Sequence, residues 1–253
     1  MKLNQPASTV RLQTSAAEWK TRVDLAGFYR LVAAYGWDDL LLAHLSARVP
    51  NEAAYLINPF GLLFEEITAS SLLKVNYEGQ KLLPSEYDIS PEANVIHGVI
   101  FQGRPDIHGV AHVHTVAGTA VSSQTHGLLN LTQQSMIVSG SLAYHDYEGI
   151  VLDHAEGPRL VRDLGTCRHL ILRNHGLLTV GATVSQAFQA LYNLQRSCEM
   201  QVAAQQAEVV EISDSVVKET GKRLTSMHSG NGPDLLWDAL LRRLRRESPD
   251  FES

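Results

Sequence analysis

The sequence predicts an α+β domain in which helices pack on the faces of a mainly antiparallel sheet. Apolar residues recur at helical spacing over 16–35 and 183–207, whereas 40–79 and 107–180 hold short apolar runs between turn residues. Helices are bunched before, between and after the strands, with no repeated βαβ unit, no Gly-x-Gly-x-x-Gly and no Walker loop. At 253 residues, 44% hydrophobic and 19% charged, the chain is long and apolar enough for a large core, and its composition is neither disordered nor fibrous.

The first helix starts at Ser15-Ala16-Ala17-Glu18, which has capping-box spacing, and Gly36 supplies its stop after Leu25, Phe28, Leu31, Val32 and Tyr35. Runs such as Leu42–Arg48 and Tyr55–Gly61 read as consecutive antiparallel strands. Ser90-Pro91-Glu92 starts a second helix, with serine able to cap and proline tolerated in the first turn, and Val95, Ile96, Val99 and Ile100 as its buried stripe. Ile107–Thr115, Met136–Val138 and His169–Arg173 are strand candidates, with Leu177–Val180 continuing the last after a kink. Residues 183–207 form a long helix. Three segments result: a flexible N-terminus (1–14), one domain (15–210) and a C-terminal helical tail (211–253) containing Leu235–Arg246.

A net charge of −6 opposes binding to a phosphate backbone, so no nucleic-acid partner is expected. Two cysteines, Cys167 and Cys198, are too few for a disulfide framework or a four-thiolate zinc site. With no apolar leader near Met1 and no long uncharged apolar stretch, the expectation is a cytoplasmic protein without a membrane partner. Arg242, Arg243, Arg245 and Arg246 read as a solvated helix face docked on a neighbouring subunit, and Trp19, Trp37 and Trp237 as packing residues.

Histidine, at 11 residues, is the side chain in excess. His112-Val113-His114 puts two imidazoles on one face of a strand. Two readings stand for that pair alone: metal chelation, or hydrogen bonding within a half-buried strand. His175, in Asn174-His175-Gly176 at a strand end, adds a third candidate, and three histidines with an open position suit a catalytic metal. A cupin site would need a glutamate shortly after the pair, and 115–128 has none.

Ser90-Pro91-Glu92, Arg104-Pro105-Asp106, Ala111–Thr115 and Arg173–Leu178, in this order, resemble the class II aldolase/adducin family over residues 20–205. Asn58–Leu63 with Glu65–Leu72 resembles its adducin-head-like bacterial branch. The resemblance implies a three-layer α/β/α fold on a central, mainly antiparallel sheet. It also implies a homotetramer with sites between subunits, and a divalent metal on His112, His114 and His175. That metal is most often zinc, with manganese, cobalt and iron as alternatives. Glu92 would be the acid/base, and Tyr144, supplied to a neighbouring subunit, the proton donor. The implied function is a metal-dependent lyase of aldolase type, cleaving, decarboxylating or isomerising a small hydroxycarbonyl compound. The alternative is a non-catalytic, adducin-head-like module for self-association and partner binding.

The resemblance lapses where the aldolases hold a substrate phosphate. Their Gly-Asn pair is Ala43-His44 here, the threonine before glycine is Phe60 before Gly61, and a second serine is Pro91; Ser90 and Gly61 survive. Phenylalanine and proline offer a dianion no donor, and burying unpaired charge costs several kcal/mol. The expected substrate is therefore unphosphorylated, with His44, Gly61, Ser90 and Arg48 as candidate contacts. His97 is a candidate second-layer residue, and His108, His145, Asp146, Tyr147 and Glu148 candidate cleft residues; each is equally explained as an ordinary packed or surface side chain.

Overall fold

The computed structural model describes residues 7–149, 155–227 and 234–253. Residues 1–6 of the N-terminal segment and 228–233 of the tail lie outside the described residues. Seven strands form one sheet: β1 (His44–Arg48), β2 (Ala54–Ile57), β3 (Leu73–Asn76), β4 (Gly109–Val113), β5 (Leu142–His145), β6 (His169–Leu172) and β7 (Gly176–Gly181), in the order β3-β2-β1-β4-β7-β6-β5. Every adjacent pair is antiparallel except β5 with β6. The helices are α1 (Ala7–Leu12), α2 (Ala16–Ala34), α3 (Pro91–Gly103), α4 (Val116–Ser122), α5 (Gln133–Ser139), α6 (Gly157–Leu164), α7 (Val184–Ala204), α8 (Asp214–Met227) and α9 (Leu235–Glu247).

Strand alternation sorts the side chains into two cores, one on each side of the sheet, and makes the three-layer α/β/α fold. Leu45, Ala47, Ala111, Val113 and Leu177 meet α2, α4, α5, α7 and α9 through residues such as Phe28, Phe188, Leu191 and Trp237. Tyr55, Ile57, Val110, Leu170, Leu178 and Val180 meet α3 and α6 through Ile96, Ile100, Phe101 and Leu160. Gly98 lets α3 lie close on the end of β3, because a Cβ there would collide with the Tyr77 carbonyl oxygen.

Ser15 caps α2 as its spacing implies, accepting from Glu18 N at 3.1 Å. The reciprocal arm of the capping box is absent, because Glu18 turns inward. Its carboxylate meets buried Arg22 (Nε–Oε1 2.9 Å) and Lys74 (Nζ–Oε2 2.9 Å), while Arg22 also donates to the Ala69 and Leu72 carbonyls. The Tyr29 hydroxyl, deep in α2, meets the Leu45 carbonyl and accepts from the amides of Leu45 (2.9 Å) and Asn58 (3.1 Å), fixing β1 and the turn after β2. At the C-terminus, Trp237, Leu241, Leu244 and Phe251 lie buried in the α2–α7 core, and Arg30 pairs with Asp250 at 2.6 Å.

Several local expectations are corrected. Met136–Val138 belongs to helix α5, whose Thr132 cap accepts from Ser135 N; three apolar residues fit either period. Leu177–Val180 reverses as strand β7 against β6 instead of continuing it. Strand β5, around Tyr144, and helices α1, α4 and α6 were not foreseen. Ser90 is the cap residue of α3 but makes no side-chain bond to the helix backbone.

Glu18→Ala leaves a fully buried guanidinium without its carboxylate. We expect a loss of about 3–5 kcal/mol of unfolding free energy in urea titrations, largely restored when Arg22→Leu is added.

Candidate metal centre and cavity

The parity that builds the cores also builds the site. Leu45, Ala111 and Val113 point to the α2 side, so His44, Ser46 and His112 point to the α3 side, and β1–β4 pairing sets His44 directly opposite His112. His114 follows just beyond the end of β4. His175 lies in the hairpin between β6 and β7, where Asn174 takes a left-handed conformation at φ 55°. The bend is therefore made at Asn174. Gly176 serves close approach: a Cβ there would stand 2.6 Å from the Val113 carbonyl oxygen and 3.0 Å from the His114 ring.

The Nε2 atoms of these histidines converge, His114 lying 2.8 Å from His112 and 3.0 Å from His175. They form a set whose ligand atoms lie within 4.8 Å of one another. His112 Nδ1 donates to the Leu177 carbonyl at 3.0 Å and His114 Nδ1 donates to Asp39 Oδ2 at 3.1 Å. A neutral imidazole that gives its one hydrogen on Nδ1 has a bare lone pair on Nε2. Two lone pairs facing at 2.8 Å repel unless a cation lies between them, so this donor set fits a divalent metal. Burial, then the neighbouring rings, holds the His112 pKa well below the ordinary histidine value, and burial, then His114, pushes His175 to about 4. Both are neutral and ligand-competent at pH 7.

The triad opens into a cavity of about 480 Å³ whose wall includes His44, Ser90 and Glu92 as well as apolar Leu41, Leu42, Phe60, Ile96 and Tyr147. Glu92 sits in the first turn of α3, and Ser90 Oγ donates to its Oε2 at 2.5 Å. Among the described residues no lysine or arginine lines this cavity. His97, fully buried on α3, stands 2.7 Å from His44 Nδ1.

Other candidates lie elsewhere. Gly61 adjoins Phe60 but is not in the wall, and takes φ 115° in its turn. Arg48 is spent on structure: it donates to the carbonyls of Ile107, Phe101 and Arg104 and packs over the Tyr77 and Phe101 rings. Tyr144 is absent from the wall of its own chain's cavity; its hydroxyl accepts from Leu128 N at 3.0 Å and its ring carries the Arg173 guanidinium 4.2 Å above its centre. His108 is not in the wall either. His145 is buried between Asp163 (2.7 Å) and Glu156 (3.4 Å). Sequence reading missed Asp39, because a loop carboxylate beside a ligand has no periodicity.

Two measurements follow from this geometry. Asp39→Ala frees the His114 ring and should weaken divalent-metal affinity by about 10-fold or more in chelator competition. In metal-free protein, His97 (folded pKa about 3) and His169 (about 4) are lowered by burial from 6.5. Stability is full above pH 6.5 and is lost as pH falls toward those folded values, by about 2 kcal/mol for each histidine at pH 5. Urea midpoints that stay flat from pH 7 to 5 would contradict this.

The family model described as Class II Aldolase and Adducin N-terminal domain matches residues 23–202. A Pseudomonas aeruginosa protein, provisionally named as an aldolase class 2 protein, is 49% identical over 96% of this chain and 95% of its own. Rat alpha-adducin is 42% identical over 72% of this chain, which corresponds to 25% of the adducin. The crystal structure of an aldolase II superfamily protein from Pseudomonas syringae superposes with a TM-score of 0.89 at 45% identity, covering 96% of this chain and 99% of that one. An L-fuculose 1-phosphate aldolase from Glaciozyma antarctica, 24% identical over 98% of this chain and 100% of its own, shares the fold at a TM-score of 0.78. The chain belongs to the class II aldolase and adducin N-terminal domain family.

Proposed function

We propose that this protein is a divalent-metal-dependent lyase of aldolase type, acting on a small hydroxycarbonyl or hydroxy-acid compound that carries no phosphate. The observation that carries the reading is the convergence of three Nε2 atoms, two of them with Nδ1 already engaged as a donor, on the wall of a cavity that also holds Glu92. His112, His114 and His175 would hold the metal, with zinc the favoured ion for three imidazoles. The metal supplies a positive charge that polarises carbonyl and hydroxyl oxygens. Glu92 moves the proton on carbon, and Ser90, donating to one carboxylate oxygen, orients the other toward the cavity. The apolar wall limits water, and the lack of lysine or arginine among the described residues of the wall disfavours a phosphate dianion.

Tyr144 serves as proton donor in this reading only if a second copy of the chain presents it, so the reading includes a homotetramer with composite sites. The cytoplasm is the proposed location; among the described residues no helix is long and apolar enough to cross a membrane. The identity with alpha-adducin favours a second reading, a non-catalytic self-association module. An intact ligand set beside a carboxylate favours the enzyme.

Metal analysis of the purified protein should find about one equivalent of zinc per chain, reduced to a trace in His112→Ala/His114→Ala of unchanged circular dichroism. A native oligomer that takes up no divalent metal overturns the enzyme reading. In a screen of hydroxyketones and hydroxy acids for aldehyde release, Glu92→Gln should lower kcat by about 100-fold or more with metal content unchanged.

A further inference from the structure

Behind the cavity wall three buried polar side chains stand in line. His44 and Ser46 lie two residues apart on the same face of β1, and His97 reaches both from α3. Ser46 Oγ meets His97 Nδ1, and His97 Nε2 stands 2.7 Å from His44 Nδ1. All three are at most 4% exposed. The His44 ring lies 4.9 Å from that of His112, yet His44 is not part of the converging set.

A line of hydrogen bonds has two possible directions, and only one here leaves no fully buried hydrogen without an acceptor. If Ser46 donates to His97 Nδ1, His97 carries its hydrogen on Nε2 and gives it to His44 Nδ1, so His44 carries its own on Nε2. In the reverse direction His44 donates to His97 and His97 donates to Ser46. The serine hydrogen then has no acceptor, because His97 is the one partner of Ser46 Oγ among the described residues. Burying an unmatched hydroxyl is the costly alternative. A doubly protonated ring does not resolve the line, since burial pushes the His97 pKa down to about 3.

We propose that Ser46 and His97 are positioning residues that lock His44 as its Nε2–H tautomer, making it a neutral hydrogen-bond donor to a substrate oxygen and barring it from the metal. With Nδ1 turned to His97, Nε2 is the nitrogen His44 offers to the cavity it lines. A protonated Nε2 has no lone pair for a cation, so the ligand set stays at three and a metal position stays open to substrate. A neutral donor in a wall whose described residues include no lysine or arginine suits a carboxylate, carbonyl or hydroxyl oxygen. The tautomer stands on the hydrogen bonds of a buried, neutral His97; the donor role rests on the reading of the cavity as a substrate site.

Long-range 1H–15N correlation on the full-length, 15N-histidine-labelled, zinc-supplemented protein reads the tautomer directly, with the His44 signals assigned by their loss in His44→Gln. The expected result is a single His44 tautomer with Nε2 protonated and Nδ1 bare, becoming a mixture in Ser46→Ala. Protonation of His44 on Nδ1, or a Ser46→Ala spectrum identical to wild type, overturns the lock; should Ser46→Ala fail to fold, the wild-type spectrum alone decides it. Glycolate is the probe for the donor role. It should shift the His44 Nε2–H resonance and bind at least 5-fold more weakly to Ser46→Ala, and a resonance that glycolate leaves in place overturns that role. Zinc content of the same samples separates the failures: a locked tautomer in protein that takes no zinc sinks the metal reading and leaves the lock standing.

Discussion

Strict alternation along two neighbouring strands is the constraint on which the rest depends. β1 and β4 each give every second side chain to the α2 core, and pairing across the sheet puts His44 opposite His112. Once the apolar residues of those strands are buried on one side, the polar ones between them must face α3. A one-residue slip of either strand would exchange Leu45 or Ala111 for a histidine in the apolar core, so hydrophobic burial enforces the chemical register. The fold therefore needs no separate device to aim these rings; the first turn of α3 then brings Glu92 to the same side.

What burial aims, hydrogen bonding tunes. Each ring on the α3 side with a defined Nδ1 partner meets one that sets which nitrogen is bare: the Leu177 carbonyl for His112, Asp39 for His114 and His97 for His44. Four histidines crowded in low dielectric would repel if charged. Desolvation and mutual proximity keep His44, His112 and His175 neutral near pH 7, a state useful for ligation and donation alike.

Much of this was legible in the residues because it depends on period. The His-x-His pair, the long helices and the capped start of α2 announce themselves by spacing, and the remaining ligand is carried by the Asn174-His175-Gly176 bend. Short apolar runs were not legible. Met136–Val138 fits a helix and a strand equally, and only its packing against α7 and α8 decides. Arg48 looked like a binding group because a cation on a strand beside His44 has the right chemistry. Its odd-even position does place it on the α3 side, but its length carries the guanidinium to the carbonyls at the C-terminal end of α3. Asp39 and the relay through His97 depend on contacts between distant segments, which no local pattern encodes.

The site also depends on an atom that is not there. Because residue 98 has no side chain, α3 rests directly on the backbone of Tyr77, and Glu92 and His97 ride on that helix as one rigid body. A methyl group at that position would lift the helix from the sheet and carry the acid and the relay histidine away together, while the ligands on β4 and the β6–β7 hairpin kept their places. Tolerance to drift is thus uneven in this architecture: affinity for the ion and alignment of the proton-moving group are governed by different contacts, so a lineage could lose the second while retaining the first.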